Sequence, residues 1–417
     1  MSGGRERIGA IESLRGLAAM SILAFHAAFA AGLLGAGAEL QGHASLLPEL
    51  ASQLGLGVTI FFLISGFLLY RPFVRARLLG TREPWIARYA ASRVLRIVPA
   101  YWVALAVIAV WLGLSGVFTV KGIPTYFGFL QIYRPGTVNG GLPQAWTLCT
   151  EVVFYAFLPL YALAMRKLPD GSFEARVRGE WLGLAVLFTA GLAWHDFALH
   201  LHNPAELASG PFLLAFPAWL DQFALGMGLA VLATLAERRP RGVSVVRRLP
   251  AVPLLVSALA FWVAATRVGP EPGELVSGTE WEIRHLLFGL VALGLLLPAV
   301  FPRPQGGWVH VAMTTRPGRW LGEISYGIYL WHVAFMVQLA RWGFSPPGAP
   351  AVRWVEWIVV AALPTFVAAA ASWYRLERPA LALRDRVAQR LSDHAARFHR
   401  RPAPPTEPER ETDIAAP

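Results

Sequence analysis

Cysteine, lysine and charge are all scarce in this chain of 417 residues. Its one cysteine, Cys149, excludes an internal disulfide and any metal cluster built on cysteine. Only 15% of the residues are charged and 55% are hydrophobic, whereas a soluble globular protein carries about a quarter charged residues. The motifs of P-loop nucleotide binding, HExxH metallopeptidases and GxSxG hydrolases are also missing. The composition therefore excludes an ordinary soluble enzyme and indicates a protein that spans a membrane.

What the sequence contains instead is a series of apolar runs, each close to the length of a membrane-spanning helix. About twenty apolar residues in helical conformation cross the hydrocarbon core of a bilayer. The runs fall near residues 13–31, 53–70, 97–116, 145–166, 181–199, 211–236, 250–266, 284–301, 320–340 and 354–374. We therefore predict an all-α polytopic integral membrane protein, a bundle of about ten transmembrane helices.

The formal net charge of +11 follows this predicted topology. Of the 37 Lys and Arg residues, thirty lie on one side of the predicted bundle, six on the other, and Arg15 lies within the first run. Because basic residues accumulate on the cytoplasmic side of a membrane, both termini are predicted to be cytoplasmic, and no nucleic-acid partner is expected. We predict a transmembrane domain at 1–380, a basic amphipathic cytoplasmic helix on anionic lipid at 381–400, and a disordered tail at 401–417.

Two polar side chains interrupt the first run, ESLRGLAAMSILAFHA (12–27). Arg15 and His26 are eleven residues apart, so they share one helix face about 16 Å apart along the axis. Such groups inside a bilayer are rare without a function, although a snorkelling arginine and a histidine bonded to a neighbouring helix remain the alternative. The AFA at 28–30 resembles a signal-peptidase site. Arg15 and His26 would be unusual in a signal peptide that is cleaved off, so we expect the first run to be retained in the mature protein.

Arg93 and Arg96, in YAASRVLRIVPAYW (89–102), lie one helical turn apart just before the third run. Two guanidinium groups on one face at the cytoplasmic surface suit a phosphate-bearing ligand. Of the 37 basic residues, 35 are arginine, so arginine is simply the usual cation of this chain. Two arginines that only fix the cytoplasmic side of the helix explain the pair equally well.

Two later runs also carry polar stripes. In the fourth run, Tyr155 follows Glu151 by four residues, and a carboxylate at this depth must face protein or water. Glu151 is therefore predicted either to take part in chemistry or to form an ion pair that locks two helices. In the ninth run, Ser325, Tyr329 and His332 follow the spacing i, i+4 and i+7 and are predicted to line a polar cavity.

Other polar residues in the apolar runs have weaker patterns. The stretch HDFALHLH (195–202) holds three histidines at spacings of five and two with no clear partner, so no metal site is predicted. Asp221 is a lone acid in the sixth run. Glu377, in SWYRLERPA (372–380), is interpreted as a brace at the cytoplasmic end of the last helix.

Six of these stretches, in their order and spacing over residues 14 to 379, resemble the membrane-bound acyltransferase 3 family. They are LRGLAAMSILAFH (14–26), GVTIFFLISGFLL (57–69), RVLRIVP (93–99), WTLCTEVVFYAFLP (146–159), LGEISYGIYLWH (321–332) and LERP (376–379). The family includes O-acetylases of lipopolysaccharide O-antigen and of peptidoglycan, Nod-factor acetylases and macrolide O-acylases. The resemblance implies transfer of an acyl group, commonly acetyl, from cytoplasmic acyl-CoA to a hydroxyl of a sugar-containing acceptor.

The resemblance also implies functional positions in this chain. The family residues carry over onto Arg15, His26, Arg93, Arg96, Glu151, Phe154, Tyr155 and Pro159. One departure is Cys149, which stands where the family commonly has a small hydroxyl residue.

A mechanism follows as an expectation. The three arginines hold the CoA phosphates at the cytoplasmic mouth, and the pantetheine arm reaches inward along the stripe of the first helix. The neutral imidazole of His26 acts as general base or takes the acyl group itself, with Glu151 orienting the ring. A hydroxyl of Ser325 or Tyr329 polarises the thioester carbonyl.

The expected location is the bacterial cytoplasmic membrane. The expected partners are acyl-CoA, a sugar-containing acceptor and the lipid bilayer; no bound cofactor is expected, and a homo-oligomer is compatible with the sequence. A cell-envelope glycan, a glycolipid and a macrolide all fit as acceptor. The rival interpretation is a transporter or flippase for a small molecule or lipid-linked sugar, without acyl transfer. A third is a scaffold whose polar residues only lock helices together.

Overall fold

The computed structural model describes residues 2–34, 46–168, 171–202, 211–268, 278–302 and 307–399. Within these ranges the chain forms helices and no strand. The long helices are α1 (Ser2–Ala30), α2 (Gly57–Leu79), α3 (Ile86–Trp111), α4 (Trp146–Arg166), α5 (Phe173–Leu201), α6 (Leu220–Arg238), α7 (Ala251–Val263), α8 (Gly278–Val300), α9 (Ser325–Arg341), α10 (Pro350–Ser372) and α11 (Arg384–His399).

Shorter helical segments connect or extend these helices. The short α-helices are Leu46–Ser52, Gly122–Tyr126, Ser244–Arg248, Trp308–Met313, Arg316–Glu323 and Arg378–Ala382. The 3₁₀ segments are Gln53–Leu56, Ser115–Phe118, Gln131–Tyr133, Pro143–Ala145, Phe216–Trp219 and Pro240–Val243. The π-helical segments Ala264–Val268 and Trp373–Glu377 extend α7 and α10.

The prediction of a polytopic all-α membrane protein is confirmed. Within the described ranges, nine helices are long and apolar enough to cross a bilayer. The ninth predicted run, 320–340, differs, because its helix α9 has only 17 residues and a length of about 26 Å. Ile324 separates α9 from the preceding helix Arg316–Glu323, which shortens the continuous span. The cytoplasmic location of the two termini stays a prediction.

The third helix begins earlier than the apolar run. The run starts near residue 97, whereas α3 starts at Ile86 and includes Pro99. The residues before the proline are mostly alanine, arginine and leucine, which favour a helix. Arg93 and Arg96 therefore lie inside a membrane helix and not in front of it.

Helix α1 is central, because it packs against α2, α8, α9 and α10. Helices α2 and α6 pack tightly against each other, and two glycines allow this approach. A Cβ added to Gly226 would overlap the Leu63 carbonyl oxygen, and one added to Gly66 would overlap the Phe223 carbonyl oxygen. Small residues at such crossings are typical of membrane helices, where van der Waals contact drives packing.

Gly226→Ala is expected to lower the free energy of unfolding by about 1–3 kcal/mol, because the added methyl group must push the α2 backbone away. Thermal denaturation of the purified protein in detergent, followed by size-exclusion fluorescence, measures the loss. Gly116→Ala is the matched control, since a Cβ at Gly116 meets no atom within 4 Å. Equal melting temperatures for the two variants would contradict the tight crossing.

After α10 the chain turns back towards α3. The Arg88 Nε atom lies 2.6 Å from Asp385 Oδ1, and the Trp85 indole N–H donates to Ser392 Oγ at 3.2 Å. Helix α11 therefore lies along the first turns of α3. Contact of this segment with anionic lipid stays a prediction, and the tail at 401–417 lies outside the described residues.

Candidate active site

A cavity of about 420 Å³ lies among α1, α2, α3, α4 and α9. Its charged lining residues are Arg15, Arg93, Arg96, Arg384 and Glu151. Four guanidinium groups and one carboxylate give the wall a positive field, which attracts anions. The uncharged polar lining residues are Ser65, Ser92, Thr147, Tyr155, Tyr326 and Tyr329.

Glu151 is the acceptor at the centre of a hydrogen-bond network in this cavity. Its Oε1 atom accepts from the Ser65 hydroxyl at 2.6 Å and from the Tyr155 hydroxyl at 2.7 Å. The second bond follows from the i, i+4 spacing on α4, whereas the first joins α4 to α2. The network orients the half-buried carboxylate towards the cavity.

Arg93 and Arg15 are the cations without a close carboxylate. The Arg93 guanidinium lies over the Tyr155 ring, 5.6 Å from its centroid, which is the geometry of a cation–π contact. No ion pair within 4 Å joins Arg93 or Arg15 to a carboxylate in the described part of the chain. Both side chains therefore have donors available for an anionic ligand.

Arg96 is held differently. Its Nη1 atom lies 3.1 Å from Oε2 of Glu377, whose side chain is fully buried. The same guanidinium lies over the rings of Trp373 at 5.1 Å and Tyr326 at 5.8 Å. The Ser372 hydroxyl also donates to Glu377, at 3.1 Å. Glu377 thus braces α3 to the end of α10, and much of the charge of Arg96 is neutralised.

A pair of histidines joins α1 to α9. His26 Nδ1 lies 3.1 Å from His332 Nε2, and the ring centroids are 5.0 Å apart. Each Nδ1 atom also lies close to the carbonyl oxygen four residues earlier, Ile22 at 3.0 Å for His26 and Ile328 at 2.9 Å for His332. The sequence predicts a functional role for His26 and, separately, a cavity-lining position for His332. Only the packing of α1 against α9 brings the two side chains together.

The two carbonyl contacts determine the tautomers of the neutral rings. A carbonyl only accepts, so His332 Nδ1 carries its proton and His332 Nε2 holds a lone pair. His26 Nδ1 then faces two acceptors, the Ile22 carbonyl and His332 Nε2, and must carry the other proton. The lone pair of neutral His26 is consequently on Nε2, which is the atom able to accept a proton.

Tyr329 lies between the cavity and the histidine pair. It lines the cavity, and its ring centroid is 6.1 Å from that of His332. His26 and His332 are not among the cavity-lining residues. The sequence predicts one polar stripe on the first helix that contains both Arg15 and His26. In the structure Arg15 lies on the cavity wall, whereas His26 lies at the histidine pair.

The hydroxyl groups expected to polarise a thioester are already engaged. The Ser325 hydroxyl donates to the Gly322 carbonyl at 2.8 Å and does not line the cavity. The Tyr329 hydroxyl donates to the Gln144 carbonyl, and its oxygen lies 2.7 Å from Thr147 Oγ1. The expectation that Glu151 orients His26 also fails within the described residues, because Glu151 bonds to Ser65 and Tyr155 instead.

Sequence reasoning missed several polar members of the site, among them Ser65 and Arg384. Ser65 is, with Thr59, one of the two small hydroxyl residues inside the second apolar run, and a polar side chain in such a run was a usable signal. Arg384 lines the cavity from the first residue of α11. Nothing local to Arg384 indicates this position, because it depends on the chain folding back after α10.

Comparison with known proteins adds independent findings. The chain matches the family model described as "Acyltransferase domain" over residues 8–373. It is 29% identical over 360 residues to Nodulation protein 10 of Rhizobium leguminosarum bv. viciae, covering 81% of this chain and 85% of that protein. It is 29% identical over 335 residues to Exopolysaccharide production protein ExoZ of Rhizobium meliloti, covering 78% and 89%.

A further relative is longer than this chain. Peptidoglycan O-acetyltransferase OatA of Listeria monocytogenes is 24% identical over 351 residues, and the match covers 79% of this chain. It covers 49% of OatA, so this chain spans about half the length of that relative. No solved structure gives a significant match.

Proposed function

Because the chain belongs to the acyltransferase 3 family, we propose that it is a membrane O-acyltransferase with acyl-CoA as donor and a sugar-containing molecule as acceptor. The resemblance seen in six sequence fragments is confirmed by the family match over residues 8–373. The acyl group we propose is acetyl. The observation that carries the proposal is the arginine-lined cavity with its Glu151 network, next to the His26–His332 pair.

The donor end of the cavity is proposed to bind the CoA phosphates. Arg15 and Arg93 have free donors for charge-assisted bonds to phosphate. Arg384 adds a third guanidinium from α11, and Arg96 contributes less than the other arginines because the ion pair with Glu377 offsets much of its charge. The phosphates enter from the side that carries the N-terminal end of α3, which is the side predicted to be cytoplasmic.

The chemical step is proposed to use His26 as general base. The acceptor hydroxyl gives its proton to His26 Nε2 while its oxygen bonds to the thioester carbon. The carbon–sulfur bond then breaks, and the departing CoA sulfur takes the proton back from the imidazolium. His332 holds His26 in the required tautomer through the 3.1 Å contact.

The acceptor proposal rests on the relatives. The names of two of the three relatives refer to bacterial polysaccharides, an exopolysaccharide and peptidoglycan. We therefore propose a cell-envelope or secreted glycan, modified at the bacterial cytoplasmic membrane. The acceptor hydroxyl is proposed to reach His26 from the membrane side opposite the arginines.

Purified protein in liposomes with acetyl-labelled acetyl-CoA tests this function. We expect label to appear on added glycan fragments, with release of free CoA only when an acceptor is present. A protein that moves the glycan or a lipid-linked sugar across the bilayer without labelling it would be a transporter, and that result would refute the proposal.

Arg93→Gln is expected to raise the KM for acyl-CoA about 10- to 100-fold, because one charge-assisted phosphate contact is lost. The KM for the acceptor and kcat should change little. Steady-state kinetics with each substrate varied in turn measures the effect. Arg88→Gln is the control, since Arg88 lies on the same helix but is exposed and bonded to Asp385. An unchanged KM would leave Arg93 with a topological role only.

A further inference from the structure

A second polar cluster lies away from the arginine-lined cavity, between α5, α6 and α8. It consists of His195, Asp221 and His285, all buried, with exposed fractions of 0%, 0% and 4%. One ligand atom from each residue lies within 4.8 Å of the other two. None of the three lines the cavity described above. We propose that this cluster is a binding site for a divalent transition-metal ion.

The carboxylate supplies the first reason. Asp221 Oδ2 lies 2.9 Å from His285 Nε2, and Oδ1 lies 3.1 Å from the same atom. In the described part of the chain no arginine or lysine forms an ion pair with Asp221. A buried carboxylate requires a cation or a dense set of donors. A metal ion that replaces the proton between Asp221 and His285 supplies the cation directly.

The tautomer of His195 supplies the second reason. Its Nε2 atom lies 2.7 Å from the Ala218 carbonyl oxygen, so Nε2 carries the proton and donates it. The Nδ1 atom of the neutral ring then holds a lone pair, and it is buried without a hydrogen-bond partner among the described residues. An unsatisfied buried acceptor is rare. A histidine that donates one N–H to a carbonyl and offers the other nitrogen is the usual arrangement of a metal ligand.

The surrounding groups also match the shell around a metal site. The Gln222 amide donates to Asp221 Oδ2 at 2.9 Å and to the His285 carbonyl at 3.2 Å, and ligating carboxylates are commonly held by such bonds. The Trp281 ring stacks on His285 with centroids 4.9 Å apart and contacts His195 edge-on at 4.8 Å. These aromatic walls fix the planes of both imidazoles.

Two imidazoles and one carboxylate are a ligand set shared by Zn²⁺ and Fe²⁺. In a tetrahedral Zn²⁺ site the ligand atoms are about 3.3 Å apart, so the side chains must close in slightly on binding. Three protein ligands leave one position for water. Because the ligands come from three helices, the ion would clamp α5, α6 and α8 together.

This assignment revises the expectation from HDFALHLH (195–202). Only His195 of that stretch takes part. His200 is exposed and pairs with Asp196. The partners of His195 come from 26 and 90 residues further along the chain, which the local spacing could not indicate.

The test uses the full chain with an affinity tag that lacks histidine. Protein treated with chelator, loaded separately with Zn²⁺ or Fe²⁺ and desalted is measured by elemental analysis. We expect close to one metal ion per chain with one of the two ions, and loss of that ion in Asp221→Asn and His285→Gln. His200→Gln is the control and should retain the ion.

A second measurement uses the wild-type protein and is independent of how variants at the site fold. Co²⁺-loaded wild-type protein should show the absorption bands of low-symmetry four- or five-coordinate cobalt, and His200→Gln should show the same spectrum. Wild-type protein that retains neither metal after desalting, or an Asp221→Asn variant that retains as much as wild type, would overturn the site.

Discussion

Replacing His26 with alanine is expected to lower kcat for acyl transfer by about 10²- to 10⁴-fold, the usual contribution of a general base. His26 Nε2 holds the lone pair that the tautomers of the histidine pair leave available. Without it, the acceptor hydroxyl has no positioned base when its oxygen attacks the thioester. The measurement is the rate of label transfer at saturating acyl-CoA and acceptor, with the amount of folded protein matched between samples.

His200→Ala is the control for this variant, because His200 is an exposed histidine bonded to Asp196 within its own helix. It should transfer acyl groups at the wild-type rate. His332→Ala should reduce kcat less than His26→Ala, since it removes the group that positions the base and leaves the base itself. Normal acyl transfer by His26→Ala would refute the assignment of His26 as base.

Arg96→Ala is expected to lower the free energy of unfolding by about 3–5 kcal/mol, because it leaves the Glu377 carboxylate buried without its cation. The exposed fractions are 13% for the Arg96 side chain and 0% for that of Glu377, so the buried carboxylate depends on this arginine for its counter-charge. Thermal denaturation in detergent measures the loss. The double variant Arg96→Ala with Glu377→Gln should recover much of it, since the uncompensated charge is gone.

Arg93→Ala is the matched comparison for this prediction. Arg93 is three residues away on the same helix and contacts the Tyr155 ring, with no ion pair to a carboxylate among the described residues. It should unfold near the wild-type temperature while its donor KM rises. If Arg96→Ala proved as stable as Arg93→Ala, the ion pair with Glu377 would not brace α3 to α10.

The two arginines show where sequence reasoning reached its limit. By sequence Arg93 and Arg96 are equivalent, one turn apart and equally suited to phosphate or to anchoring the topology. In the structure the second is bound by a carboxylate 281 residues later, and the first is not. The difference lies in the tertiary neighbours of each side chain, which the spacing on α3 does not contain.

The two histidines show the same limit, because each position was predictable from the sequence and their contact was not. The intramembrane position of His26 and the stripe that ends at His332 were both predictable, because polar groups stand out in an apolar run. That they form one pair, with defined tautomers, depends on α1 packing against α9. Ser325 belongs to the predicted stripe of α9, yet its hydroxyl turns back to the Gly322 carbonyl because it lies at the first turn of that helix.

The class of fold, the approximate helix positions and the family could all be predicted from the amino-acid sequence. The reason is that lipid offers no hydrogen bonds, so every spanning segment must form all of its backbone hydrogen bonds internally, as a helix. Such a helix appears in the sequence as a continuous apolar run. Which polar groups come into contact, from the Glu151 network to the His195–Asp221–His285 cluster, became visible only once the helices were packed. These contacts depend on helix crossings such as the one at Gly66 and Gly226. At a crossing, segments far apart in the chain pack together, and this packing determines which polar side chains become neighbours.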